Sequence, residues 1–192
     1  KSLNIIARVD ARTGRVIARG RPWARVADMV VAGERLVLLI GGQFGPLAVD
    51  TSPARVEVRR QGNGSLIATG RPLPKLDEFD RLSLGADGVW LTSTSEEVAR
   101  RIDPSTGEVR ETLRVGCRPI AAVEAPDGVV AACGDRDAVR LVSRDGGLGN
   151  EIPLEDSPVD AVIAAEALWV VMEKGSVRRW QLAELPFPGA AR

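Results

Sequence analysis

The sequence predicts an all-β fold of repeated four-stranded units, from one recurring turn and one recurring strand start. The turn occurs at 8–16 (RVDARTGRV) and 101–109 (RIDPSTGEV), with a weaker copy at 141–147. Apolar pairs that open a strand recur in step, at 53-, 40- and 39-residue intervals, as Leu36–Val37, Val89–Trp90, Val129–Val130 and Leu168–Trp169. A period near forty residues built from short strands and turns is typical of β-propeller blades.

The repeats predict four blades within one domain spanning 1–192, and each blade runs as strands a to d with strand a innermost. The blades lie near 24–69, 79–115, 119–154 and 158–182. Between strands a and b, the pairs Asp87–Gly88 and Asp127–Gly128 predict two-residue type I′ hairpins, whose central residues both need positive φ. The enlarged b–c connection at 41–53 accounts for the longest interval, and we interpret it as an interaction element.

The strand count does not close a simple ring. Residues 4–18 match strands c and d of a preceding blade, and the last blade stops after its strand c at 177–181. A five-bladed ring would leave one strand over, so either that strand is displaced or the chain is an arc of a larger propeller. Because an open arc exposes apolar faces and strand edges, we expect completion by further propeller blades or a second copy.

Composition excludes several functions. Acidic and basic residues balance at 26 each, which argues against nucleic-acid binding. No apolar run approaches the roughly 18 residues that span a bilayer, so no membrane insertion by this segment is expected. The chain has no histidine, which removes histidine-based catalysis and most zinc or copper sites.

The two cysteines do not determine the cellular location of the protein, although an extracytoplasmic or secreted location is slightly favoured over a cytoplasmic one. Cys117 precedes strand a of one blade and Cys133 ends strand b of the same blade. The hairpin register expected there places Cys133 opposite Ala122, so a disulfide requires the preceding loop to fold back. The bonded and unbonded states both remain open at this stage.

The pattern RIDPSTGEV…VG.RP…AV…DG.V at 101–130 resembles the bacterial propeller repeats of the YVTN, NHL-like and streptogramin-lyase-like groups. The resemblance implies a propeller that acts as a sensor or ligand-binding module of larger, often actinobacterial, proteins. Lyases of this superfamily use histidine with bound magnesium, and this chain has no histidine to receive that role. The Asp-x-x-Thr-Gly turns also resemble quinoprotein blades, but the expected tryptophan after the turn is absent.

Three arginines at the entries to strand a are candidate ligand-binding residues. They stand in Gly20–Arg21–Pro22, Gly70–Arg71–Pro72 and Cys117–Arg118–Pro119, and Trp23 follows the first. Connections d–a and b–c emerge on one face of a propeller, so Arg21, Trp23, Arg71 and Arg118 are expected to cluster there. Forked guanidinium groups suit carboxylates or phosphates. The alternative is that these arginines cap the turns or pair with internal acids.

Asp28 and Asp160 are candidate metal ligands, because both lie eight residues before the first apolar residue of strand b. A carboxylate pair in the channel could hold calcium or magnesium. The alternative is that both acids pair with arginines. Trp90 and Trp169 share a position on strand b, which predicts packing between blades.

The sequence therefore favours a non-catalytic propeller module for sensing, ligand binding or protein interaction, without a required cofactor. Its expected partner is a protein or a small anionic ligand. The alternative is a metal-assisted lyase or hydrolase acting at the channel mouth.

Overall fold

A computed structural model of the chain describes residues 6–10, 12–20, 26–41, 53–74 and 80–189. The described residues form five antiparallel sheets, here called blades A to E. Each strand pairs only with its neighbours in sequence. This meander topology and the forty-residue repeat confirm the predicted all-β blades.

The strands of each blade follow chain order. Blade A holds β1 (Ile6–Val9) and β2 (Val16–Gly20), and blade B holds β3 (Val26–Ala32), β4 (Arg35–Ile40), β5 (Arg55–Arg60) and β6 (Leu66–Thr69). Blade C holds β7 (Leu82–Leu84), β8 (Val89–Ser93), β9 (Val98–Ile102) and β10 (Val109–Arg114). Blade D holds β11 (Pro119–Ala125), β12 (Gly128–Cys133), β13 (Ala138–Ser143) and β14 (Leu148–Pro153). Blade E holds β15 (Pro158–Ala164), β16 (Ala167–Met172) and β17 (Val177–Gln181), and a short 3₁₀ turn follows at Leu182–Glu184.

The chain divides into two compact units. The first comprises 1–78 and the turn 103–108, and the second comprises 79–102 and 109–192. Within the described ranges, no helix has the length and apolar character needed to cross a membrane.

The recurring turn has the same hydrogen bonds in both of its strong copies. In each, the aspartate carbonyl accepts a 2.8 Å bond from the glycine N–H, Gly14 to Asp10 and Gly107 to Asp103. The aspartate carboxylates cap nearby backbone N–H groups. The glycines have φ of 67° and 76°, which L side chains rarely adopt. Arg60–Gly64 has the same glycine-to-carbonyl hydrogen bond, although the sequence pattern did not identify it as a copy of this turn.

The a–b hairpins of blades C and D differ from the predicted type I′ turns. In blade D, Ala125 pairs with Gly128, so Pro126 and Asp127 are the central residues of the turn. Neither central residue has positive φ. Blade C has the same shift without a proline, because the Gly85 N–H donates to the Gly88 carbonyl and leaves Ala86 and Asp87 as the central residues. The predicted pairing of Cys133 with Ala122 is therefore wrong, because Cys133 pairs with Pro119.

Cys117 and Cys133 form a disulfide bond, which settles the open question about them. A register shift between Pro119 and Ala121 brings the start of β11 level with the end of β12. The two Cα atoms lie 5.6 Å apart, and both residues are fully buried. The bond fastens the connection entering blade D to the end of that blade's strand b.

The second unit has one apolar core between blades C and D and another between blades D and E. Trp90, Ala122 and Val129 belong to the first. Val130, Leu141 and Leu168 belong to the second. The small alanines of β11 allow neighbouring sheets to approach closely, as blade packing requires.

The segment after β17 does not form a fourth strand of blade E. Leu185 and Phe187 are instead buried in the core between blades D and E. Pro188 lies beside Gly149 of β14. Within the described residues, β17 pairs only with β16, so blade E has three strands.

An ion-pair network joins β13 and β14 on blade D. Glu151 accepts hydrogen bonds from Arg140, its partner across the strands, and from Arg136. The bond from Arg140, helped by the bond from Arg136, holds the pKa of Glu151 below its usual value of 4.5. A carboxyl whose pKa is lowered on folding stabilises the folded state above 4.5, and that stabilisation is lost as the pH falls through the folded pKa.

We expect Glu151→Gln to lower the free energy of unfolding by about 1 kcal/mol at neutral pH, because this partly exposed pair is screened by solvent. Urea denaturation at a series of acidic pH values should show the variant and the original chain converging. Glu155→Gln is the matched control, since Glu155 also pairs with an arginine, Arg178, but is more exposed. If the two chains differed in free energy of unfolding by the same amount at every pH, the ionised Glu151 carboxylate would not be the source of the stabilisation.

Candidate functional site

The structure describes two of the three predicted arginines, Arg71 and Arg118, and both are exposed. Arg21 and Trp23 lie outside the described residues, as do positions 42–52 of the enlarged b–c connection. Arg71, in the first unit, is almost fully exposed, with Nε 3.7 Å from Glu108 Oε2. Arg118, in the second unit, is exposed, and its backbone N–H donates to Asp135. The expected clustering of these groups stays a prediction.

The two candidate metal ligands occupy equivalent positions in their blades. Asp28 and Asp160 each follow a register shift at the start of strand a. Each carboxylate accepts a 2.8 Å bond from the next backbone N–H. Asp28 lies in the first unit and Asp160 in the second. In the described part of the chain, no three histidine, cysteine or acidic side chains form a group that could hold a metal ion.

A cleft of about 200 Å³ lies between blades C and D, near their a–b and c–d turns. Strand a runs from the end that carries Arg118 to the end that borders this cleft. The cleft is therefore at the opposite strand ends from Arg118. Its lining combines four charged side chains with apolar ones: Trp90, Arg101, Glu111, Leu113, Glu124, Gly128, Val129 and Arg144.

Glu124 forms the floor of this inter-blade cleft and connects the two blades. Its side chain is only 4% exposed. Oε2 accepts hydrogen bonds from the indole Nε1 of Trp90 at 3.1 Å and from the backbone N–H of Ala86 at 2.9 Å. Gly85 makes room for it, because a Cβ there would lie 2.2 Å from Oε2. One oxygen of Glu124 is thus fully engaged in holding blade C to blade D.

The two arginines of the cleft are less well compensated. Arg144 extends from the c–d turn of blade D, is 59% exposed, and lies 3.9 Å from Glu124 Oε1, beyond hydrogen-bonding distance. Its Nε donates to the carbonyl of Pro126. Arg101 Nε is buried without a hydrogen-bond partner, 3.4 Å from Glu111 Oε2. A buried donor without a partner is uncommon in folded proteins. The exposed guanidinium of Arg144 therefore has unused hydrogen-bonding capacity for an anionic group.

Sequence analysis identified Trp90 as a packing residue but missed the rest of the cleft. Trp90 is 3% exposed in the C/D core, as predicted. The four charged groups of the cleft come from β9, β10, β11 and the turn after β13. No short motif links them. The one local signal was Glu124, an acid within the otherwise apolar strand at 120–125.

No protein-family model and no curated protein matches the chain. Several solved structures do. BamB from Moraxella catarrhalis is 15% identical with a TM-score of 0.63, over 94% of this chain and 52% of that one. The WD40 beta propeller domain of Doa1 is 18% identical with a TM-score of 0.58, over 87% and 54%. BBS1N, solved in complex with ARL6DN, is 15% identical with a TM-score of 0.61, over 94% and 59%.

These similarities show the fold alone: the chain has a β-propeller fold. It spans 52% to 59% of the length of the three natural proteins named above.

Proposed function

We propose that the chain is a non-catalytic β-propeller module that binds a protein partner, and that the inter-blade cleft receives an acidic side chain of that partner. The observation that carries this proposal is the exposed guanidinium of Arg144 in the cleft, which lies 3.9 Å from the carboxylate of Glu124. The solved complex of BBS1N with ARL6DN supports it by analogy, since that related fold binds a protein.

The charges of the cleft favour an anionic group over a cationic one. Glu124 is engaged by Trp90 and the backbone of Ala86, whereas the nearest acid to Arg144 lies 3.9 Å away. An incoming carboxylate could accept charge-assisted hydrogen bonds from the exposed guanidinium, and such bonds are shorter and stronger than neutral ones. A volume of about 200 Å³ suits one side chain rather than a larger ligand.

The disulfide supports an extracytoplasmic location as part of this proposal. Cys117 and Cys133 are bonded in the fold, and such bonds persist mainly in oxidising compartments. Membership of the YVTN, NHL-like or streptogramin-lyase-like groups, and a sensor role, remain predictions from the resemblance. The metal-assisted enzyme also remains a hypothesis, and none of the described contacts of Asp28 or Asp160 favours it.

The indole N–H of Trp90 provides a reporter for the cleft, because it bonds to Glu124 directly. We expect an acetylated Gly-Asp-Glu-Asp-Gly peptide to shift this resonance in ¹⁵N-edited NMR spectra, with Trp90→Phe assigning the peak. Arg144→Gln should weaken the binding about tenfold, which corresponds to the loss of one charge-assisted hydrogen bond.

Two controls make the result specific. The amide counterpart Gly-Asn-Gln-Asn-Gly should leave the Trp90 resonance unmoved. Arg136→Gln should bind the acidic peptide normally, because Arg136 pairs with Asp135 and Glu151 away from the cleft. Equal shifts from both peptides, or full binding by Arg144→Gln, would refute the anionic cleft.

A further inference from the structure

The side of each blade that faces the next blade, here called its trailing face, is covered in blade D but exposed in blade E. Val123 and Val130, paired across β11 and β12, are buried against blade E. Their equivalents in blade E are Val162 and Trp169, also paired. Val162 is 52% exposed, and Trp169 is only half-buried. Val171 and Val177, on the same trailing face, are exposed too.

The opposite side of each blade, here called its leading face, is covered in blade D but exposed in blade B. Ala122 and Glu124 of blade D occupy the leading face and are covered by blade C. Counted from the a–b turn, the same positions of blade B hold Met29 and Val31. Their exposures are 47% and 43%. Blade B thus presents apolar side chains at positions that are buried in blade D.

We infer that the trailing face of blade E binds the leading face of blade B in a second copy of this chain. The proposed contact repeats an interface that the molecule already forms twice, between blades C and D and between blades D and E. In each case a strand a of small or apolar residues packs on the strands a and b of the preceding blade. A second copy supplies such a strand, and the side chains of Val162, Val171 and Val177 on one face and of Met29 and Val31 on the other gain from leaving water.

The side chains at the contact fit this occupant. The indole N–H of Trp90 donates to an acceptor on the facing blade, the carboxylate of Glu124. Trp169 instead donates its indole N–H to the carbonyl of Ala164, at 3.3 Å, within its own blade. Arg179 lies over the Trp169 ring, 5.4 Å from its centre. An apolar residue can therefore face Trp169 without leaving a buried donor unpaired, and Val31 holds the position equivalent to Glu124.

The test is the association of the full chain, measured by sedimentation equilibrium. We expect assemblies of two or more copies, weakened about tenfold or more by Val162→Lys with Val171→Lys, because burying unpaired charges is costly. Met29→Glu with Val31→Glu should weaken association to the same extent. Leu148→Glu is the matched control, since Leu148 is an equally exposed apolar residue of strand β14, outside the proposed contact.

Mixing the two double variants tests which faces meet. Each variant keeps one intact face, so an equimolar mixture should recover one original interface and associate more strongly than either variant alone. A chain that stays monomeric at all concentrations would overturn the inference. So would normal self-association of the Met29/Val31 variant, which would mean that two blade E faces pack on each other. Circular dichroism identifies any variant that is misfolded, and single substitutions at the same positions then replace it.

Discussion

Loss of the Cys117–Cys133 disulfide is expected to lower the free energy of unfolding by about 3 kcal/mol, the value typical of a loop near 15 residues. The bond joins residues 16 apart and encloses the hairpin of β11 and β12. This hairpin contributes to both apolar cores of the second unit, through Ala122 and Val130. Without the bond, the unfolded chain gains conformational freedom that folding must then remove.

The measurement compares the urea denaturation of the oxidised chain with that of the chain reduced by tris(2-carboxyethyl)phosphine. A Cys117→Ala, Cys133→Ala variant should match the reduced chain closely and should not respond to the reductant. The variant is the control for any effect of the reductant on the rest of the molecule. Equal stability of the oxidised and reduced chains would show that the bond does not contribute to the fold.

Gly128→Ala is expected to destabilise the chain by about 3 kcal/mol, at the upper end of what overpacking costs. A Cβ on Gly128 would lie 2.0 Å from the carbonyl oxygen of Val142 and 3.0 Å from the Cα of Ser143. Both neighbours are backbone atoms of the adjacent strand, which cannot move without breaking the pairing of β12 with β13. The clash can be removed only if β12 and β13, the two central strands of blade D, move apart.

Gly62→Ala provides the matched control, because a Cβ at Gly62 meets nothing within 4 Å. It should change the stability by less than about 0.5 kcal/mol, as surface substitutions usually do. Thermal denaturation followed by circular dichroism would separate the two variants clearly. Similar transitions for both would mean that β12 and β13 adjust more easily than their close contact suggests.

The strands of blades C and D were predictable because two signals agree there. Apolar pairs such as Val89–Trp90 mark strand starts, and the aspartate–glycine turn at 103–107 closes the c–d hairpin through its own hydrogen bonds. The a–b turns of these two blades were predicted one residue too late, because the glycine of each aspartate–glycine pair belongs to the paired strand end and not to the centre of the turn.

The cleft and the C-terminal segment were less predictable, because long-range packing creates both. Arg101 and Glu124 lie 23 residues apart in sequence and meet only when two blades stack. Leu185 and Phe187 follow the last strand and carry no strand pattern, yet they fill the core between blades D and E. The predicted arginine face rested on general propeller topology, and half of its residues lie outside the described chain.

The burial of Leu185 and Phe187 has a consequence for the order in which the molecule assembles. Each blade is a meander whose strands pair with neighbours in sequence, so it can form as soon as it leaves the ribosome. Leu185 and Phe187, by contrast, dock on side chains such as Leu141 that were synthesised more than forty positions earlier. Until these two residues have left the ribosome, one side of that core is uncovered. The core between blades D and E is therefore sealed only after every strand of both blades has been made.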